Sequence, residues 1–215
     1  MLGDILLIQE KHKKAGEVII ERILKDKKEK YIVAVSGESG SGKTELTHVI
    51  AKGLRKYGIF AKPLHTDNYY NTLPLERREW RNKQGIENVV GYNEYKWDEI
   101  QKSIDDFKNN RKSQMPCVDL VTEQVDQLIT DFSEVDMLIV DGLYAIKADN
   151  IDLRIFIDLS YLETKEKHTK DSRGKEVMDE VRWATLAQEH KMVQSLKPLA
   201  DLLITKDYKV VDVKK

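Results

Sequence analysis

This sequence has little to cross-link it or anchor it to a membrane. It holds 1 cysteine, Cys117, in 215 residues, which excludes an intramolecular disulfide and a cysteine-rich metal site and suits a reducing compartment. It lacks an excess of either charge: 36 Lys and Arg stand against 37 Asp and Glu, a net charge of −1. That balance argues against a general nucleic-acid binder while leaving room for a local basic pocket that takes a small anion. No apolar run approaches the roughly 18 residues of a membrane span. The brief apolar patch at Ile5–Ile8 has no basic leader and no small-residue cleavage site, so it does not read as a secretory signal. Internal repeats and low-complexity stretches are absent. What is present is 40% hydrophobic and 34% charged residues, enough for a buried core under a charged surface. A soluble, cytoplasmic globular chain is the expectation, with no nucleic-acid or membrane partner.

Hydrophobic periodicity sets out the elements. Residues 4–25 read as an amphipathic helix with Ile8, Ala15, Ile19 and Ile23 on one face, followed by a charged run from Lys25 to Lys30. Tyr31–Val35 is continuous and rich in β-branched residues, as a buried parallel strand should be. A glycine-rich turn and a helix follow, the helix patterned on Leu46, Val49, Ile50 and Leu54 and stopping at Gly58. A second strand is expected over 59–64, at a sheet edge because of Pro63. Residues 68–95 are polar and aromatic without periodicity and read as an insert or lid. Trp97, Ile100, Ile104 and Phe107 mark a helix, and 117–120 with 127–132 a hairpin. Further strands are expected at 137–140, 153–157 and 202–205, with a charged helix near 161–171 and a long one over 176–197. Strands alternating with helices predict an α/β fold in three layers around a mainly parallel, five-stranded sheet. The expected organisation is an N-terminal helix and linker (1–30), then one domain (31–215) carrying an insert and hairpin (68–132) and a lid (161–176).

Gly37-Glu38-Ser39-Gly40-Ser41-Gly42-Lys43-Thr44 matches G-x-x-x-x-G-K-[ST] between an expected strand and an expected helix. Glycines let successive backbone N–H groups turn inward around phosphate oxygens, and the helix N-terminus adds partial positive charge. In such a P-loop Lys43 reaches the β- and γ-phosphates and Thr44 holds Mg²⁺, so the chain is expected to bind ATP or a similar nucleotide. Acidic residues fall where chemistry would need them. Asp141 ends an apolar strand, so its carboxylate emerges at the carboxyl edge of the sheet, where it can hold the metal directly or through water. Asp67 follows the second strand in His65-Thr66-Asp67-Asn68-Tyr69-Tyr70, placed to accept the proton of an attacking hydroxyl. The histidines show no metal-ligand spacing and read as structural or surface residues.

These segments together resemble the uridine kinase and phosphoribulokinase family over about residues 31–206. Asp67-Asn68-Tyr69-Tyr70 is similar to the family's D-S-F-Y segment, and Pro116-Cys117-Val118-Asp119-Leu120-Val121-Thr122 to its P-x-Y-D-F-x-[ST] strand. Arg173-Gly174 and Ala200-Asp201 resemble its lid and last strand. The resemblance implies a P-loop NTPase fold and transfer of the γ-phosphoryl group of ATP, with Mg²⁺, to a hydroxyl of a small molecule. In uridine kinases that hydroxyl is the nucleoside 5′-OH. It further implies Asp67 as base, Lys43 and Arg173 on the phosphates, Thr44 and Asp141 at the metal, and Tyr70 and Asp119 on the acceptor.

The sequence also departs from the pattern. Val118 stands where the family has a base-contacting Tyr, Glu123 where a His is usual, and Asp141 where Glu is frequent. The lid segment offers Lys165, His168 and Lys175 in place of arginines, and Lys lacks the bidentate grip of a guanidinium. Glu123 is kept as an acceptor-side candidate, since its carboxylate can accept from an amine or hydroxyl. A sugar, polyol or sugar-phosphate acceptor, and a non-catalytic ATP-binding switch, remain as alternatives, and a homo-oligomer is left open. Arg77, Arg78 and Arg81 fit either a clamp for an anionic acceptor or a solvated helix face paired with Glu76 and Glu79; the second is preferred. Trp80, Trp97 and Trp183 read as packing residues.

Overall fold

The computed structural model describes residues 2–164 and 178–213. Arg173, Lys165, His168, Lys175 and most of the expected lid lie outside them. Helix α1 (Glu10–Asp26) precedes β1 (Tyr31–Gly37), α2 (Lys43–Leu54) and β2 (Ala61–His65). Next come α3 (Pro74–Gln84), α4 (Ile86–Val89), α5 (Trp97–Lys108) and the hairpin strands β3 (Lys112–Val118) and β4 (Val125–Asp131). The chain continues with β5 (Met137–Asp141), β6 (Leu153–Ile157), α6 (Glu180–Gln194), β7 (Leu202–Ile204) and β8 (Val210–Asp212).

The main sheet runs in the order β2-β5-β1-β6-β7-β8. Its first five strands are parallel and β8 is antiparallel to β7, so the sheet has six strands where five were expected. The added strand is three residues long and half-exposed, too short to leave an alternating pattern. Pro63 lies on the edge strand, where a missing N–H costs no ladder bond.

Both faces of the sheet are covered, which is why the central strands read as unbroken apolar runs. Val33, Val35, Ile139 and Ile155 pack beneath α1 and α2 through Ile19, Ile23, Leu46 and Ile50. Ile32, Ala34, Val140 and Phe156 pack on the other side against Ile100, Ile104 and Phe107 of α5 and Val193 of α6.

Three segments differ from expectation. The first helix starts at Glu10 rather than residue 4, and residues 2–9 are an arm without helical structure, so Ile8 does not share the buried face. Residues 68–95 hold helices α3 and α4. Their lack of apolar periodicity has a physical cause: the one buried side chain of α3 is Arg81, seated by ion pairs. The hairpin strands are also displaced: β3 runs over 112–118 where 117–120 was expected, so Asp119 and Leu120 lie past its end, and β4 begins two residues early, being almost entirely exposed with no inward-facing pattern.

Candidate active site

Strand register builds the site. His65 of β2 and Val35 of β1 both lie opposite Asp141 of β5, so three parallel strands end side by side at their carboxyl edge. The phosphate loop leaves β1 at this edge and enters α2. Gly42, at the helix N-cap, has φ 96°. A Cβ there would stand 2.6 Å from the Tyr208 hydroxyl and 2.8 Å from His12 Nε2, so glycine is required on both counts. Tyr208 donates its hydroxyl hydrogen to the Ser41 carbonyl at 3.1 Å, bracing the loop from behind. Lys43 folds back to donate from Nζ to the Glu38 carbonyl at 2.9 Å, a bond it would have to exchange to reach a phosphate.

Glu38 behaves differently from the rest of its motif. Its buried carboxylate accepts from the Tyr161 N–H (2.7 Å), His190 Nδ1 (2.8 Å) and Gln194 Nε2 (2.6 Å). The side chain is thus spent on tying the loop to α6 and the segment after β6, and only its backbone can serve phosphate. From the same helix, Arg182 Nη2 reaches Ser39 Oγ at 3.4 Å.

The acidic pair sits beside this cradle. Asp141 is buried, and its Oδ1 meets His65 Nδ1 at 2.7 Å, while its Oδ2 is enclosed with no hydrogen-bond partner among the described residues. Asp67 is half-buried, and its Oδ1 is likewise enclosed and unpartnered among them. Burial pushes the Asp67 carboxyl above the usual carboxylate range; the nearby Lys43 ammonium opposes that rise and Asp141 adds to it. His65, read from sequence as structural or surface, therefore belongs to the site as the group that orients Asp141. Magnesium fits these residues, because it takes one or two carboxylates and fills its octahedron with phosphate oxygens and water. Among the described residues no group of three or more His, Cys, Asp or Glu side chains is placed to hold a metal.

Where an acceptor is expected, Tyr70 accepts a hydrogen bond from the Tyr95 hydroxyl at 2.5 Å, and the two ring centroids lie 4.2 Å apart. Burial raises both phenols above their ordinary range, so both stay protonated. Tyr92, Tyr95 and Tyr144 extend this into an aromatic wall that sequence reasoning did not find. The three arginines of α3 do not form a solvated face paired with Glu76 and Glu79. Arg81 is buried and grips Glu94 through two bonds, of 2.6 and 3.1 Å, Arg78 pairs with Asp179, and the Arg77 guanidinium stacks 3.4 Å above the Tyr70 ring. Trp97 does pack, donating Nε1–H to the Tyr92 carbonyl at 2.8 Å. At the end of the hairpin, Asp119 Oδ1 accepts from the Val121 and Thr122 N–H groups at 2.8 and 3.4 Å, holding the turn. Glu123 sits in that turn with φ 58° and an enclosed Oε2.

Comparison with known proteins agrees with this architecture. Residues 32–207 match the model of the Phosphoribulokinase / Uridine kinase family. The uridine kinase of Ureaplasma parvum serovar 3 is 30% identical over 132 residues, 59% of this chain, and the match spans only 61% of that enzyme's length. The uridine kinase of Staphylococcus aureus is 24% identical over 184 residues, 80% of this chain and 86% of that one. Among solved structures, a possible uridine kinase from Bacillus stearothermophilus superposes with a TM-score of 0.66 at 16% identity, covering 89% of this chain and 97% of its own. The phosphoribulokinase of Rhodobacter sphaeroides gives 0.64 at 14% identity, with 83% and 71% covered. A D-glycerate 3-kinase from Cryptococcus neoformans gives 0.59 at 14% identity, with 94% and 97% covered. These structural likenesses are to the fold, and the family match covers most of the sequence. With its P-loop and strand-end carboxylates, the chain belongs to the Phosphoribulokinase / Uridine kinase family.

Proposed function

We propose that this protein transfers the γ-phosphoryl group of ATP to a hydroxyl of a small molecule. The observation that carries the reading is a pair of enclosed carboxylate oxygens, Asp67 Oδ1 and Asp141 Oδ2, with no hydrogen-bond partner among the described residues, beside a P-loop lysine. Buried polar atoms are ordinarily hydrogen-bonded, so enclosed oxygens left open beside this lysine suit an incoming hydroxyl and a metal ion. A passive nucleotide switch needs no second carboxylate facing an acceptor. In the proposed reaction Asp67 accepts the proton of the acceptor hydroxyl while its oxygen bonds to the γ-phosphorus. The bond from that phosphorus to the β–γ bridging oxygen breaks, and ADP leaves. Lys43 balances charge on the transferred group. Thr44 and Asp141 would hold Mg²⁺, which when bound neutralises charge on the phosphate oxygens.

The relatives named uridine kinase favour a ribonucleoside 5′-hydroxyl as the acceptor. A second reading, a sugar, polyol or sugar phosphate, is favoured by Arg77. Its Nε is enclosed without a hydrogen-bond partner among the described residues, and its guanidinium lies over Tyr70, within electrostatic range of Asp67. A guanidinium so placed suits a phosphate or carboxylate on the acceptor. The deciding experiment is ADP release from ATP across ribonucleosides, sugars, polyols, glycerate and sugar phosphates, with Lys43→Ala as the control. Turnover that vanishes in Lys43→Ala supports the kinase, and no turnover with any acceptor overturns it. Uridine or cytidine leading the panel supports the first reading. Anionic acceptors leading, with their KM raised selectively in Arg77→Gln, support the second.

A further inference from the structure

The family match begins at residue 32, yet the chain ahead of it reaches into the site. Leu2 donates its N–H to the Val118 carbonyl at 3.0 Å and accepts from the Leu120 N–H at 3.0 Å. It therefore clasps the backbone on both sides of Asp119, in a parallel bridge. Farther along, the Leu7 N–H donates to Glu45 Oε1 of α2 at 3.3 Å. Between these points Asp4 and Leu6 face Thr44, His48 and His65 across a cavity of about 210 Å³. The arm then enters α1, where His12 abuts Gly42 of the phosphate loop. One short segment thus touches the hairpin end, borders the metal-side residues and joins a helix that braces the loop.

Leu2, Ile5 and Leu7 are 52%, 54% and 53% exposed, so at these positions the arm is held chiefly through its backbone. A segment held in this way can be loosened without unfolding the core.

We propose that residues 2–9 are a positioning arm for the acceptor: they fix the Val118–Thr122 segment, and with it Asp119, relative to the phosphate loop. The arm sets acceptor affinity and leaves ATP affinity alone. The proposal rests on the kinase reading of this site.

Gly3 offers a clean perturbation. Its φ is +76°, and a Cβ there would lie 2.9 Å from Val121 Cγ2, so Gly3→Ala strains the arm at its contact with the hairpin turn. Leu2→Pro removes the N–H that the Val118 carbonyl accepts and fixes φ at that end of the arm. Each variant should raise the acceptor KM by about 2–12-fold, the net worth of one backbone hydrogen bond. The KM for ATP should stay unchanged, and the thermal midpoint should fall by no more than about 1–6 °C. Amide hydrogen exchange at Leu120–Gln124 should quicken in both variants, and Val18→Ser, at an exposed side chain of α1 outside the arm, should change nothing. Unaltered exchange at the turn overturns the proposal. So does faster exchange with an unaltered acceptor KM, or a rise in both KM values together with a larger fall in the midpoint. Wild-type protein that phosphorylates nothing fails the kinase reading instead. Calorimetric binding of uridine and ribose 5-phosphate to wild type and Gly3→Ala then decides the arm, with equal affinities, or no binding by either, overturning it.

Discussion

Replacing Asp67 by Asn should separate activity from stability. The carboxylate sits in the short 3-10 turn (Thr66–Tyr69) just past β2, with Oδ1 enclosed and unpartnered among the described residues, and its pKa is raised chiefly by burial. If Asp67 takes the acceptor proton, the isosteric amide should lower kcat by about 10²–10⁴. That corresponds to about 2.7–5.4 kcal/mol of transition-state stabilisation. ATP affinity should change by no more than a few-fold, since the phosphate loop is untouched. Stability should move the other way. A carboxyl whose folded pKa lies above its unfolded value makes ionisation unfavourable to folding, so wild type carries a penalty at neutral pH. The penalty disappears below the unfolded value of 3.8, where both states are protonated. An unmatched buried polar group costs about 1–3 kcal/mol, and more when charged, whereas Asn still leaves neutral polar atoms there. A net gain of about 1 kcal/mol is therefore expected, raising the midpoint by about 2–4 °C for a chain of this size. The assay pairs steady-state ADP release with thermal unfolding of ligand-free protein in EDTA at neutral and acid pH. An Asn variant that keeps a tenth or more of wild-type kcat, or that is less stable at neutral pH, refutes the reasoning.

The central strands and the phosphate loop were legible because their signals are contiguous. Tyr31–Gly37 is buried on both faces, and the loop is a run of adjacent residues whose spacing follows from backbone geometry. Asp141 and Asp67 could be placed because a strand end is a local feature. Their neighbours could not. The bond from His65 to Asp141 joins residues 76 apart, and those from His190 and Gln194 to Glu38 span 152 and 156, set by strand order and helix docking. Helix α3 was hidden because its buried face is ionic, and periodicity arguments count only apolar residues. The arm was misjudged for the opposite reason. Ile5 and Ile8 resemble the start of an amphipathic helix, but both remain exposed and the hairpin claims the backbone of Leu2. The arginines of α3 show the limit of charge counting, since three neighbouring cations take three unlike environments.

Two further perturbations probe how the site is held. Asp152 accepts from the Ile32 N–H at 2.8 Å and pairs with Lys28 and Lys108, at 2.9 and 3.0 Å, beneath the start of β1. Burial alone pushes its carboxyl up, but the bonds from Lys28, Ile32 and Lys108 outweigh that and hold it below the usual range. Its contribution is therefore present above the unfolded pKa and lost as pH falls through the folded one. Asp152→Asn should cost about 1.5–3 kcal/mol at neutral pH, the worth of hydrogen bonds to a charged group, and nothing once wild type is protonated. Urea unfolding across pH checks this, and a cost that persists in acid contradicts it. The other perturbation is at Arg81, which grips Glu94 by its bidentate contact and lies 3.7 Å from Glu189 of α6, all three side chains buried. It joins the acceptor-side insert to the helix that also carries Arg182 to Ser39. Arg81→Met keeps much of the side-chain volume but leaves Glu94 buried without its cation, a loss on the order of 3–5 kcal/mol. For a chain of this length that lowers the midpoint by about 6–20 °C. Because the penalty comes from the orphaned carboxylate more than from the lost attraction, Arg81→Met with Glu94→Leu should recover most of the stability. A single variant costing under about 1 kcal/mol would mean that water or Arg182 reaches Glu94 readily, and that the insert is held to α6 by other contacts such as the bond from the Tyr92 hydroxyl to the Met192 carbonyl at 3.3 Å. A double variant no more stable than the single one would show that the pair's bonds, including the one from Gly91 N–H to Glu94 Oε2 at 3.2 Å, outweigh the cost of desolvating them.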